Sequence, residues 1–171
     1  RMSARWTLEA GSRFEASELI QEGDSDVRKS FLFAKPRALL SFAPTHANQW
    51  RLLIERDVGQ LDFEDFVSST SLSADTVTAG NPDLEPDRTW AAELAWERQF
   101  MQSGSLVVTA RREHIADLID RVPIDRGALL DGVGNIGDGV REELEVSLSL
   151  PLALLRLDSG LLKATALWRS S

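Results

Sequence analysis

Val140 to Leu150 is the stretch that most limits what this chain can become. Val140, Leu144, Val146, Leu148 and Leu150 fall on one side, interrupted only by Glu142. Arg141, Glu143, Glu145, Ser147 and Ser149 fall on the other. Side chains that alternate every second residue describe a strand, because a helix would scatter these two groups around its axis. The chain must therefore build a sheet with one apolar and one polar face.

The same alternation recurs along the chain. In Arg5–Glu15, Trp6, Leu8, Ala10 and Phe14 oppose Thr7, Glu9, Arg13 and Glu15. In Phe31–Ala43, Pro36, Ala38, Leu40 and Phe42 oppose Arg37, Leu39 and Ser41. Proline cannot donate to a ladder, so a bulge or distortion is expected at Pro36. Trp50, Leu52, Ile54 and Val58 oppose Arg51, Glu55 and Asp57, with Leu53 and Arg56 as exceptions. Leu106–Leu118 opens on Val107, Val108 and Thr109, which favour strands. Leu162, Ala164, Ala166 and Trp168 oppose Lys163, Thr165 and Arg169 at the end.

Arg88–Phe100 reads two ways. Trp90, Ala92, Leu94, Trp96 and Phe100 alternate with Glu93, Glu97 and Gln99, and only Arg98 breaks the apolar side. Yet Thr89–Gln102 is rich in helix formers, and Trp90/Leu94 and Trp96/Phe100 also stand four apart. The connections decide it. They run long (16–29), short (44–48), long (60–86), short (102–105), long (119–139) and fairly short (151–160). Outer-membrane barrels carry short turns at one end and long loops at the other, and a helix here would break that phase. The expectation is an all-β, antiparallel up-and-down meander of about seven strands, part of a transmembrane β-barrel. A soluble β-sandwich binding or scaffold module, with the same apolar faces as its core, is the alternative.

Composition excludes little. The chain has 171 residues, 27% charged and 43% hydrophobic, in keeping with a folded domain. No apolar run reaches the roughly 18 residues of a membrane helix, whereas barrel strands need only about 9–11 alternating ones. A net charge of −8 argues against nucleic acid as a partner. Zero cysteines discriminate between few compartments.

Several segments together resemble the barrel region of TonB-dependent outer-membrane receptors. Asn81-Pro82-Asp83-Leu84-Glu85-Pro86-Asp87 resembles the family's segment that opens a strand, and an acidic, an apolar and an aromatic residue follow in a similar rhythm. Arg56 to Phe66 resembles its strand exit, with Gly59-Gln60 in place of the common Arg-Pro. Asn135 to Gly139, then Glu145 and Leu150-Pro151-Leu152, resembles its downstream strand, although Glu142–Leu144 stands where a glycine often precedes the glutamate. The similarity covers most of residues 30–170, and shared order and spacing carry it.

The resemblance implies barrels of about 22 strands with a plugged lumen. It also implies energised uptake, through an inner-membrane TonB complex, of a scarce ligand such as a siderophore, cobalamin or an oligosaccharide. Residues 1–171 match barrel wall alone, with no plug domain, no TonB-contacting box and no terminal aromatic closing strand. A partial barrel in the outer membrane of a Gram-negative bacterium is expected, with lipid against its apolar face. The TonB complex would be reached through the missing plug region. Two open edges would let the isolated piece self-associate. Glu9, Arg13, Arg51, Glu55, Glu93, Glu97, Glu143, Glu145, Lys163 and Arg169 would face the lumen. Arg98 should lie near an interface, since a charge at the midplane costs roughly 2–4 kcal/mol. Asn81, Pro82, Leu84 and Pro86 are expected to be architecture that aims Trp90 into the wall, not a ligand site.

Other motifs point to no chemistry. Gly132-Val133-Gly134-Asn135-Ile136-Gly137 matches G-x-G-x-x-G, with Asp158 downstream, but a dinucleotide site needs a helix after it and a strand pattern follows. A flexible loop tip is expected there. His46 and His114, without cysteine, make no zinc spacing. Asp57, Asp62, Glu64 and Asp65 lack a calcium-loop pattern and read as a solvated acidic loop. With no nucleophile elbow, neither catalysis, cofactor nor metal is expected.

Overall fold

The computed structural model describes residues 5–21, 27–61, 69–71, 76–78, 81, 83–101, 103–125, 130–155 and 160–171. Seven strands form one antiparallel sheet: β1 (Trp6–Gln21), β2 (Val27–Thr45), β3 (Asn48–Val58), β6 (Arg88–Phe100), β7 (Gly104–Ala116), β10 (Gly139–Pro151) and β11 (Leu161–Ser170). Each pairs with its sequence neighbour in the sheet, so the topology is an up-and-down meander with β1 and β11 at the edges. Two small hairpins, β4 (Ser69–Ser71) with β5 (Thr76–Thr78) and β8 (Ile119–Asp125) with β9 (Leu130–Asn135), stand on the long connections. A 3-10 turn, Leu152–Leu155, follows β10.

The register turns the alternation into two continuous surfaces. Leu8, Leu40, Leu52, Leu94, Ala110, Leu144 and Trp168 are successive cross-strand partners, one apolar row across all seven strands. The row next to it, toward the short turns, is Trp6, Phe42, Trp50, Trp96, Val108, Val146 and Ala166. Within it, Trp6 stacks on Phe42 at 4.1 Å and Trp50 on Trp96 at 5.7 Å between centroids. Such cross-strand aromatic pairs are worth about 0.2–1 kcal/mol each. This face is uncovered: Trp6, Leu8, Trp50, Leu52, Leu94, Leu144 and Trp168 are all exposed.

Where the apolar surface ends is as regular as where it runs. One row beyond the leucine row, on the long-loop side, Arg112 pairs with Glu142 at 3.2 Å. On β3 the first charge, Arg56, comes a row later. On β1 and β2 it comes much later still, at Glu18 and Arg28, which pair with each other past Phe14 and Leu32. At the opposite end β6 meets Arg98, while β10 and β11 stay apolar to Leu150 and Leu162. The apolar band therefore runs diagonally to the hydrogen-bonded rows.

Four expectations are corrected. Residues 16–29 are not a long loop: β1 continues to Gln21 and β2 starts at Val27, because backbone pairing from Ala16↔Leu32 to Gln21↔Val27 outweighs the polar composition. Residues 119–139 hold the β8–β9 hairpin, so Gly132–Asn135 is strand and not a loop tip. The long connection 60–86 carries β4–β5; residues 62–68, 72–75, 79–80 and Pro82 lie outside the described residues. At Pro36 no bulge interrupts β1–β2, where Ser12↔Pro36 stays in register. The β2–β3 ladder instead ends at Arg37↔Glu55, one residue before the proline, which has no donor to continue it; that ladder's irregularity falls at Phe42/Thr45.

The contested Arg88–Phe100 is strand throughout. Its turn into β7 places Met101 at φ 54°, and the Phe100 ring lies over Gly104, where a Cβ would come within 2.4 Å of it. Only glycine admits that aromatic cover, a known way of protecting a glycine in a sheet.

Candidate functional site

The polar face carries a ladder of ion pairs. Leu39, Leu53, Glu93, Arg111, Glu143 and Arg169 form one row, alternating in sign from Glu93 onward. Arg111 is the hub. Its Nε donates to Glu113 at 2.8 Å, and its two NH groups reach Glu93 at 3.3 Å and Glu55 at 3.5 Å. Arg37 also donates to Glu55 (3.4 Å), Arg141 to Glu113 (3.3 Å), and Arg169 pairs with Glu143 (2.8 Å). Cross-strand neighbours of opposite sign are what the register supplies, and the planar guanidinium suits a shared site better than a lysine would.

Lys35 is the buried member of this face. It lies 2.9 Å from Glu15 and 3.1 Å from Asp57, and donates to the Val58 carbonyl at 2.9 Å. It ties β1 to the end of β3 where the proline has stopped the direct ladder. Lys35, Asp57, Arg37, Glu55, Arg111, Glu113 and Arg141 line a cavity of about 650 Å³ on the polar face.

Loss of the Arg111 hub should be felt across the sheet. R111A leaves Glu55, Glu93 and Glu113 facing one another. Its cost should be about 1–3 kcal/mol, between exposed and buried ion pairs. The urea midpoint of the full-length protein measures it, and R111A/E93Q should recover part of the loss by removing one repelling charge.

A second constellation sits at the long-loop end. Asn81 donates through its side chain to the Val133 carbonyl (3.1 Å) and accepts from the Asp83 N–H (3.0 Å). Asn135 reads the Glu85 backbone both ways: it accepts from the N–H at 3.0 Å and donates to the carbonyl at 2.9 Å. It also donates to the Asp117 carbonyl at 2.7 Å. Leu84 is fully buried, Pro86 is buried, and Lys29 donates to the Leu84 carbonyl at 3.2 Å. Arg88, the first residue of β6, pairs with Asp117. Asn81, Leu84 and Pro86 thus form a clasp between the entry to β6 and the end of the β8–β9 hairpin, while Pro82 lies outside the described residues. N135A should release the hairpin at about 0.5–1.5 kcal/mol per hydrogen bond lost. Faster hydrogen exchange confined to residues 117–135 is the expected readout.

The remaining singled-out residues scatter. Glu55 and Glu93 meet at Arg111, while on the same polar face Arg13 lies beside Glu15 and Glu143 beside Arg169. His46 is exposed in the β2–β3 turn, and His114 is on the apolar side, a cross-strand partner of Trp90. Asp57 is taken up by Lys35, and Asp62, Glu64 and Asp65 lie outside the described residues. Arg111, Lys35 and Asn135 escaped the sequence reading as site residues. Arg111 was hidden by its neighbour Arg112, which points to the other face; strict parity carried through Val107, Thr109, Arg111 and Glu113 would have found it.

An up-and-down sheet with a continuous apolar face and an ionic opposite face is the class of wall from which barrels are made. The chain belongs to the TonB dependent receptor-like, beta-barrel family, whose model matches residues 1–162. No curated protein matches it. Among solved structures it is similar to the Serratia marcescens hemophore receptor HasR, a double mutant in complex with its hemophore HasA and heme. The TM-score is 0.64 at 13% identity, covering 85% of this chain and 29% of that one. It is also similar to the siderophore receptor PirA from Pseudomonas aeruginosa, with TM-score 0.64, 16% identity, and coverage of 95% and 35% respectively. The chain therefore spans about a third of these structures.

Proposed function

We propose that residues 1–171 are a stretch of barrel wall in an outer-membrane receptor that takes up a scarce ligand with energy from the TonB complex. The ligand belongs to the family's siderophore, cobalamin or oligosaccharide range. The observation that carries this reading is the diagonal apolar band. A soluble sandwich would require a second sheet over that face, and its edges would follow the packing partner. In a barrel, strands tilt by about 35–45° to the membrane normal, so a band of constant depth must cross the hydrogen-bonded rows obliquely. From Glu142 on β10 through Arg56 on β3 to Glu18 on β1 the shift has that sense, with Arg88 on β6 one row past Arg56. Arg98, close to the short turn, then marks the inner boundary.

On this reading the polar face lines the lumen, contact with TonB is made through a plug region outside this segment, and relatives of this kind are receptors and not enzymes. The clasp of Asn81, Leu84 and Pro86, with Pro82 between them, serves as architecture at the outer rim. Fractionation of the full-length protein tests the reading. It should be found in the outer membrane, and ligand accumulation should vanish when the TonB complex is deleted. Recovery as a soluble monomer would sink it. Made alone, the segment should self-associate through the β1 and β11 edges, and a strictly monomeric sedimentation profile would refute that part.

A further inference from the structure

Two cavities on the polar face adjoin at Gly59. The larger, about 650 Å³, has Gly11, Ala91, Ile115 and Leu118 as its apolar lining and the ion pairs around Arg111 as its polar one. The smaller, about 180 Å³, sets Phe31, Phe33 and Pro86 beside Glu15, Ser17 and Gln60. Phe31 and Phe33 stack with ring centroids 5.8 Å apart. Every cation lining the larger cavity except Arg56 stands no farther than 3.8 Å from a carboxylate. These pairs are balanced in charge but unsaturated in hydrogen bonds. Among the described residues, Arg37 donates to Glu55 through its Nε, and Glu113 accepts one bond at each oxygen. A guanidinium has five N–H groups and a carboxylate about four lone-pair sites, so the same wall keeps both donors and acceptors to spare.

We infer that the two cavities together bind a neutral oligosaccharide. The inference rests on the receptor reading and narrows its ligand range to one class. The larger cavity has the size of a small-molecule pocket, about 300–1,000 Å³, and the expected lining of apolar groups with a few placed polar ones. A hydroxyl both donates and accepts, so a run of sugar hydroxyls can use arginine N–H groups and glutamate lone pairs without displacing an ion pair. A polyanionic chelate brings acceptors alone, and at each paired arginine it would compete with a carboxylate already in place. The C–H faces of sugar rings find apolar floor at Ala91, Ile115 and Leu118 in one cavity and at Phe31 and Phe33 in the other. Glycine at the junction leaves room for the Asp87 carboxylate, a further acceptor on the larger cavity, which a Cβ at position 59 would meet at 1.7 Å. Linked rings can occupy two adjoining compartments in succession; one broad macrocycle needs a single open wall.

Equilibrium binding to the purified full-length protein tests the inference. The probes are a fluorescently labelled library of neutral linear oligohexoses, a ferric tricatecholate chelate and cyanocobalamin. Members of the library should bind, and neither the chelate nor cyanocobalamin should compete with them. F33A and E113Q should each weaken that binding by about tenfold or more, as expected for a lost contact with an aromatic floor or a charged acceptor. G11W should abolish it, because a side chain started at Gly11 meets nothing within 4 Å and can fill the cavity without touching an ion pair. The heat-dependent gel shift reports a folded barrel in each variant, and where E113Q fails that check, G11W and F33A supply the measurement. A library with no bound member overturns the inference, as does saccharide binding that G11W and F33A leave unchanged. Binding of the chelate or of cyanocobalamin that G11W blocks, in a protein found in the outer membrane, also overturns it and keeps the receptor reading. Saccharide binding lost in G11W, by a protein absent from that membrane, keeps the site and sinks the receptor reading.

Discussion

L94R should abolish insertion of the full-length protein into lipid while an equivalent change on the other face is tolerated. Leu94 lies mid-strand in the apolar row, flanked by Leu52 and Ala110 across the strands, and is 45% exposed. In a soluble sheet an arginine at so open a site would cost almost nothing. In a barrel wall it meets hydrocarbon, at about 2–4 kcal/mol near the midplane, falling toward zero near the interfaces. T109R, one residue from Ala110 but on the ionic face, is the paired control. The measurement is the folded fraction in phospholipid vesicles, read by the heat-dependent gel shift of intact barrels. Equal folding of L94R and T109R would remove the membrane reading.

L84A should produce the largest loss of stability in the rim clasp. Leu84 is the one large side chain fully buried among the described residues, in a sheet that otherwise leaves its apolar groups open. Truncating a buried leucine costs about 2–5 kcal/mol, depending on how far the surroundings collapse into the space. The segment around it is anchored by Asn81, Asn135 and Lys29 through side chain to backbone bonds, so little collapse is available. The thermal midpoint of the full-length protein should fall, and L32A, at a position 74% exposed, should leave it nearly unchanged. If both substitutions act alike, Leu84 is not the pivot of the clasp. A larger loss for L84A than for N135A would show that burial outweighs hydrogen bonding in holding the hairpin.

Much of this architecture was legible in the residues. A period of two needs no partner to be read, so Val140–Leu150 is strand in isolation, and β10 spans it. The phase of long and short connections settled Arg88–Phe100 as strand although its composition favours helix, because topology constrains a segment that propensity leaves open. Two of the misreadings share one cause. Residues 16–29 are mostly polar and acidic and residues 119–139 are rich in glycine and aspartate, and their strands are held by pairing between two backbones, which leaves little trace in side-chain type.

Local order therefore determined which residues alternate, which face each takes, and where the short turns fall. Register belonged to the tertiary structure alone. It is a relation between strands far apart in sequence, and a slip of one residue would turn every side chain to the wrong face. Only the paired sheet aligns Leu8 through Trp168 into one row, sets the apolar band oblique to the strands, and brings Glu55, Glu93 and Glu113 around Arg111. Asn81 and Asn135 likewise become a clasp only when the chain returns through β6 and β7 to place the hairpin beside the turn that precedes Trp90.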